Sequence, residues 1–424
     1  MSFKRQLYGS LLARILGVPI ALSISVITAR YLGPELRGEF AKIMTTAVIF
    51  TILKDLFSGG SQILLKDSFD GLRWLTYQAF LAPLAGVLFF CLLCLSLGSA
   101  LDFMLPKGVG LVAVVLCSIL IYLIGVEEAL TRLVTGCQKV NYVNAVRLVL
   151  SLFRLVCLFA CFYVTAANYV LVVSILVAKS LFFVAAMMFS LTRTLSWKEG
   201  SNVRKLDGWG KRSLLLGAKT VGRSIGVILI LKSDVWMMAA LSTVEQVGIY
   251  HVAVGLCALV MTFSNTVANV ARTRAIVESE NYERTLMLVK FVVLAGMLAW
   301  PAVWIGAPIL VSVLYGASYM ESADIFRVLW GAVVFWSSAN IISNVLMVER
   351  NAPVWIAICM FAGLFVNLVC NYFFIPQWGG LGAAWASMAA YVVVFVWNIC
   401  VFFRTYPIRM SSVFSFNLRY FQNV

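Results

Sequence analysis

Long apolar runs, each closed by a short polar or turn-forming segment, set the rhythm of this chain. No charged residue falls between Trp74 and Leu101 or between Phe291 and Met320. Asn351 to Phe403 is 53 residues without a charge. One helix crossing a bilayer needs roughly 20 mainly apolar residues, so that last run holds two crossings joined by a turn. Continued along the chain, the pattern predicts twelve spans, at 8–31, 34–60, 74–99, 108–130, 140–164, 168–191, 213–240, 246–272, 285–315, 323–348, 353–375 and 380–403. Turn chemistry marks several joints: Gly33-Pro34 between the first pair, Pro106 before the fourth span, and Pro376 to Gly380 within the last pair. The expected fold class is an all-α polytopic membrane protein of two six-helix bundles around a central cavity.

Composition agrees with a bilayer as solvent. Hydrophobic residues make up 62% of the 424 and charged residues 12%, with mean hydropathy +0.96. A water-soluble exterior could not be covered by so few polar groups. The net charge of +15 does not point to nucleic acid, because no basic domain exists to bind it. With the N-terminus inside, the inner segments carry 19 of the 33 Lys and Arg residues. The outer segments carry about three, Arg30, Arg37 and Lys107. This bias predicts that both termini are cytoplasmic. The single histidine, His251, excludes a metal site built on several histidines. Cys91 and Cys94 form a C-x-x-C inside an apolar span and read as small packing residues.

The longest polar stretch, Thr192 to Arg212, sits at the midpoint. It divides the chain into an N-terminal bundle, 1–200, and a C-terminal bundle with a short cytoplasmic tail, 201–424. An internal repeat supports two halves. Glu35, Gly38 and Phe40 recur 210 residues later as Glu245, Gly248 and Tyr250, and Asn141 recurs as Asn351. Parallel repeats of this kind place a transport site between them.

A charge near mid-bilayer costs roughly 2.5–3.5 kcal/mol, so embedded charges are candidate functional groups. Arg147 and Arg154 are seven apart and Lys219 and Arg223 are four apart, so each pair shares a helix face. With Arg14 they form a predicted anionic-ligand site, because guanidinium forks suit phosphate oxygens. Lys179 and Lys232 also lie deep in spans. Asp234 and Glu127 are candidate coupling or structural acids, Asp234 pairing with Lys232 or with a neighbouring helix. No bond need be broken at such a site, and no catalytic residue or metal ligand is expected.

The segment Ala29-Arg30-Tyr31-Leu32-Gly33-Pro34-Glu35-Leu36-Arg37-Gly38-Glu39-Phe40 resembles the A-R-x-L-G-P-x-x-x-G-x-[FY] signature of Wzx-type polysaccharide flippases. These belong to the multidrug/oligosaccharidyl-lipid/polysaccharide exporter superfamily. Lys232-Ser233-Asp234 followed by Val247-Gly248-Ile249-Tyr250, Leu314-Tyr315-Gly316 with Tyr319, and Asn367 through Ala384 resemble later segments of the family. The resemblance implies a flippase moving an undecaprenyl-pyrophosphate-linked oligosaccharide across a bacterial inner membrane, for O-antigen, capsule or exopolysaccharide. It carries the family's cationic cavity over in type onto Arg14 and onto Lys219 or Arg223. It further implies no bound cofactor, drive by a proton or sodium gradient, and a polymerase and chain-length regulator as neighbours. A multidrug antiporter of the same superfamily and a membrane glycan polymerase are the alternatives. The first would present acids and aromatics to cationic drugs, and the second a large outer loop.

Overall fold

The computed structural model describes residues 3–58, 72–98, 102–106, 110–194, 209–277, 282–349 and 353–406. Among them all regular structure is helical: α1 Phe3–Phe50, a 3-10 turn Thr51–Leu53, α2 Lys54–Ser58, α3 Leu72–Leu81, α4 Leu84–Leu97, α5 Gly110–Gly136, α6 Val140–Val164, α7 Tyr169–Thr194, α8 Trp209–Leu241, α9 Val244–Val277, α10 Tyr282–Leu314, α11 Glu321–Glu349 and α12 Pro353–Thr405. Ten stretches are long and apolar enough to cross a membrane. Two of them, Leu12–Ser58 with 47 residues and Val354–Thr405 with 52, would extend about 70 and 78 Å if straight, more than twice a bilayer core. Each is broken by one non-helical glycine, Gly33 (φ 69°) in α1 and Gly379 (φ 52°) in α12. Positive φ is open to glycine at little steric cost, and the adjoining Pro34 and Pro376 remove helix donors at the same joints. Each long helix is therefore two spans, and the crossings among the described residues number twelve. The predicted span 74–99 is bent as well, with the α3–α4 break falling at Ala82-Pro83.

The chain forms two compact units, Met1–Ile228 and Leu229–Val424. The expected division at residue 200 falls in 195–208, outside the described residues.

In unit 1 the first arm of α1 runs beside α6. Gly9 faces Asn141 at one end, and at the other the Tyr31 hydroxyl bonds Thr165 Oγ1 at 2.8 Å and Ala166 O at 2.6 Å. A buried apolar cluster joins Leu72, Leu75 and Ala79 of α3 to Val126, Leu130 and Leu133 of α5 and Phe183, Met187 and Leu191 of α7. In unit 2, α11 is the central helix, with Ala332, Trp336, Ala339, Ile342 and Val345 all buried. Hydroxyl and amide bonds fasten it to its neighbours. Ser322 Oγ donates to Ile249 O at 2.7 Å, Ser337 Oγ to Ser264 Oγ at 2.8 Å, and Ser343 Oγ to Asn398 Oδ1 at 3.1 Å. In hydrocarbon, where helices gain little from hydrophobic contact with one another, such bonds and close packing hold a bundle together.

Candidate functional site

Unit 1 sorts its embedded charges into two groups. Among the described residues the embedded acids Glu39, Asp55, Glu127 and Glu128 each have a cation on them. Lys42 Nζ lies 3.1 Å from Glu39 Oε2. Lys54, 1% exposed, reaches Asp55 Oδ1 at 3.0 Å and Glu128 Oε2 at 2.6 Å, and Arg132 reaches Asp55 Oδ1 at 2.9 Å. Lys179 Nζ donates to both carboxylate oxygens of Glu127 at 3.0 Å. The pair Lys42–Glu39 lies within α1, the others join α2, α5 and α7, helices far apart in sequence, and all of them neutralise the acids where they stand.

Arg147 and Arg154 stand outside those pairs. Among the described residues neither has a carboxylate within ion-pairing distance. Arg147 donates from Nη2 to Thr131 Oγ1 at 3.2 Å, and its guanidinium lies 5.9 Å from the centre of the Phe183 ring. The charges of Glu127 and Glu128 reach it from α5. Arg14, on the first arm of α1, lies within electrostatic range of Arg147. Two like charges held near one another on packed helices repel, and an anion between them would relieve that repulsion. Arg154, further along α6, lies within range of Arg37 instead. Arg37 was expected in an outer loop. It is 5% exposed in the second arm of α1, where Nη2 meets Ser25 Oγ at 3.5 Å, because the Gly33 joint turns that arm back against the first.

Arg223 is half-buried on α8. The side chain of Lys219 lies outside the described residues. Both belong to unit 1, as do Arg14, Arg147 and Arg154.

Asp234 belongs to unit 2 and is 3% exposed. The expected partner Lys232 contributes only charge at a distance, since successive side chains two apart on a helix point to different faces. Asp234 is held by neighbouring helices instead. Oδ2 accepts from the Tyr250 hydroxyl of α9 and from Ser387 Oγ of α12, each at 2.7 Å. Oδ1 accepts from Asn371 Nδ2 at 2.8 Å. Asn367 Oδ1 in turn accepts from Asn371 at 3.0 Å and from Ser233 at 3.2 Å. Asn371 Oδ1 and Asn367 Nδ2 are buried with no hydrogen-bond partner. Of this network the sequence singled out Asp234 for its charge, and Ser233, Tyr250, Asn367 and Asn371 within resembling segments, the two asparagines four apart marking one polar helix face. Ser387 was missed. Among the described residues no group of three or more His, Cys, Asp or Glu could hold a metal ion.

Residues 7–271 match the family described as "Polysaccharide biosynthesis protein", which is more than half of the chain. The chain belongs to that family. Solved structures of the same fold include the lipid II flippase MurJ in an inward closed conformation, 14% identical with TM-score 0.67, covering 96% of this chain and 88% of that one. An inward-facing multidrug resistance MATE transporter of the MOP superfamily is 12% identical with TM-score 0.65, covering 91% and 95%. A MOP superfamily transporter from Pyrococcus furiosus, described as having a binding pocket of reverse polarity, is 12% identical with TM-score 0.52, covering 94% and 96%. Among curated proteins there is no match. At these identities the likeness shows a shared polytopic helical fold.

Proposed function

We propose that the chain is a flippase that carries a polyprenyl-diphosphate-linked oligosaccharide from the cytoplasmic to the outer leaflet of a bacterial inner membrane. The product serves surface polysaccharide, whether O-antigen, capsule or exopolysaccharide. One observation carries the reading: unit 1 neutralises Glu39, Asp55, Glu127 and Glu128 yet, among the described residues, keeps Arg147 without a carboxylate of its own and within range of Arg14. A cationic pair maintained at that expense in an apolar medium suits a multiply charged anion, and diphosphate offers oxygens in the geometry a guanidinium reads. The diphosphate binds from the cytoplasm, the lipid chain stays in the bilayer, and alternating access delivers the glycan outward. No bond is broken. Both termini stay cytoplasmic, and a polymerase and chain-length regulator receive the product.

Drive by a proton or sodium gradient is part of the same proposal, with Asp234 as the ion-carrying group. Its carboxylate and the orphan acceptor Asn371 Oδ1 are buried together, and oxygen donors suit either a proton or a hard cation.

Deleting the gene tests the reading. Loss of surface glycan with complete repeat units accumulating on the carrier inside the cell is the expected result. Single repeat units still reaching the surface would make the missing step polymerisation. Unchanged glycan with raised sensitivity to cationic drugs would make the chain a multidrug antiporter.

A further inference from the structure

The second arm of α12 ends in a face of helical period. Val396, Trp397, Cys400 and Arg404 fall three, four, seven and eleven residues beyond Val393, so all five share one side of the helix. That side lines a groove of about 920 Å³ within unit 2, together with Leu346 of α11 and Trp355 in the first arm of α12. The helix α12 crosses the membrane twice about Gly379, so its start at Trp355 and its end at Arg404 stand at the same end of the bundle. The groove is apolar along its length and cationic at that end. Arg404 is exposed in the last turn of α12, and among the described residues no carboxylate pairs with it.

Depth and charge together say what fills such a groove. From Val393 to Arg404 the helix rises about 16 Å, and the hydrocarbon of one leaflet is about 15 Å deep. An acyl chain laid along this face brings its headgroup level with the guanidinium. Trp355, in the first turn of α12, stands at the same end, where indoles collect in membrane proteins. Charge then selects among headgroups. A guanidinium fork suits phosphate oxygens, and basic pockets between membrane helices take anionic headgroups. A zwitterionic headgroup brings an ammonium as well, and the lining holds no acid to meet it. A polyprenyl diphosphate carries more negative charge than one guanidinium offsets. We propose that the groove is a binding site for one anionic glycerophospholipid, its chains along the Val393–Trp397 face and its phosphate on Arg404. The lipid bridges α11 and the two arms of α12 and is a structural member of unit 2. This inference is independent of the flippase reading.

The test titrates the purified full chain in detergent with phosphatidylglycerol or phosphatidylcholine and reads the one-to-one complex by native mass spectrometry. The parent chain is expected to bind phosphatidylglycerol at least fivefold more tightly than phosphatidylcholine. Arg404→Gln removes the charge and should bring the two lipids within about twofold of one another. Val396→Trp fills the groove and should weaken phosphatidylglycerol binding at least fivefold. Ile309→Trp, at an exposed apolar position on α10, should bind as the parent does. Equal binding of the two lipids by the parent, or an unchanged preference in Arg404→Gln, would reduce the occupant to ordinary bilayer lipid and overturn the proposal. So would Val396→Trp binding phosphatidylglycerol as the parent does. Displacement of phosphatidylglycerol by an equal concentration of undecaprenyl phosphate would overturn it too, giving the groove to a polyprenyl chain.

Discussion

The embedded charges of unit 1 differ in what each one touches. Lys179 and Glu127 satisfy one another, so removing either leaves a charge in an apolar setting, whereas removing both leaves none. Lys179→Met and Glu127→Gln are each expected to destabilise the purified protein by on the order of 2 kcal/mol, and the double variant by less than either. Thermal unfolding in detergent measures this, and additive losses would mean the pair is not coupled. Asp234 answers to three donors at once. Asp234→Asn keeps the volume and forfeits the charge, and should cut gradient-driven glycan export at least tenfold while the protein still inserts. Full export by that variant would remove Asp234 from ion coupling. Sequence spacing located these charges within spans and could go no further. Whether a span cation is matched depends on a helix 52 residues away, as for Lys179 and Glu127, and one-dimensional order does not hold that distance. Arg37 misled for a related reason. It follows a Gly-Pro turn that reads as an outer loop, and only the backbone at Gly33 shows the chain turning straight into the next span.

At the level of elements, close helix approach is set by residues without side chains. Gly217 of α8 is the tightest case, since a Cβ there would lie 2.0 Å from Leu56 O of α2. Backbone cannot swing away as a side chain would. Ser213, one turn earlier, bonds Phe57 O and accepts from Gln78 Nε2 at 2.9 Å, so the start of α8 is pinned on both sides. Gly217→Val is expected to abolish accumulation of folded protein, whereas Gly17→Ala, with nothing within 4 Å of the new Cβ, should be neutral by the same membrane blot. A well-folded Gly217→Val variant would show that α8 does not pack on α2 as described. The twelve spans were legible because apolar length and turn residues carry them directly. Pro83 could be read from the sequence as a bend only weakly, since proline inside an apolar run is compatible with a continuous membrane helix.

On the scale of the whole molecule, the two units carry different chemistry. Met1–Ile228 holds Arg147 and Arg154, which have no carboxylate at ion-pairing distance among the described residues, and Leu229–Val424 holds the buried Asp234 carboxylate and its amides. The account assigns the anion to the first and the coupling ion to the second. Composition and apolar pattern made the membrane class readable, and family membership adds polysaccharide biosynthesis. The division of chemistry was not readable, because it emerges only once matched charges are set aside. The most direct measurement is translocation itself: purified protein in proteoliposomes, given a fluorescent oligosaccharide on undecaprenyl diphosphate, with the outward-exposed fraction read by quenching. The account predicts that the parent chain exchanges the lipid between leaflets under an imposed ion gradient and that Arg147→Gln slows this at least tenfold. No exchange above protein-free vesicles, or equal exchange by parent and Arg147→Gln, would contradict it.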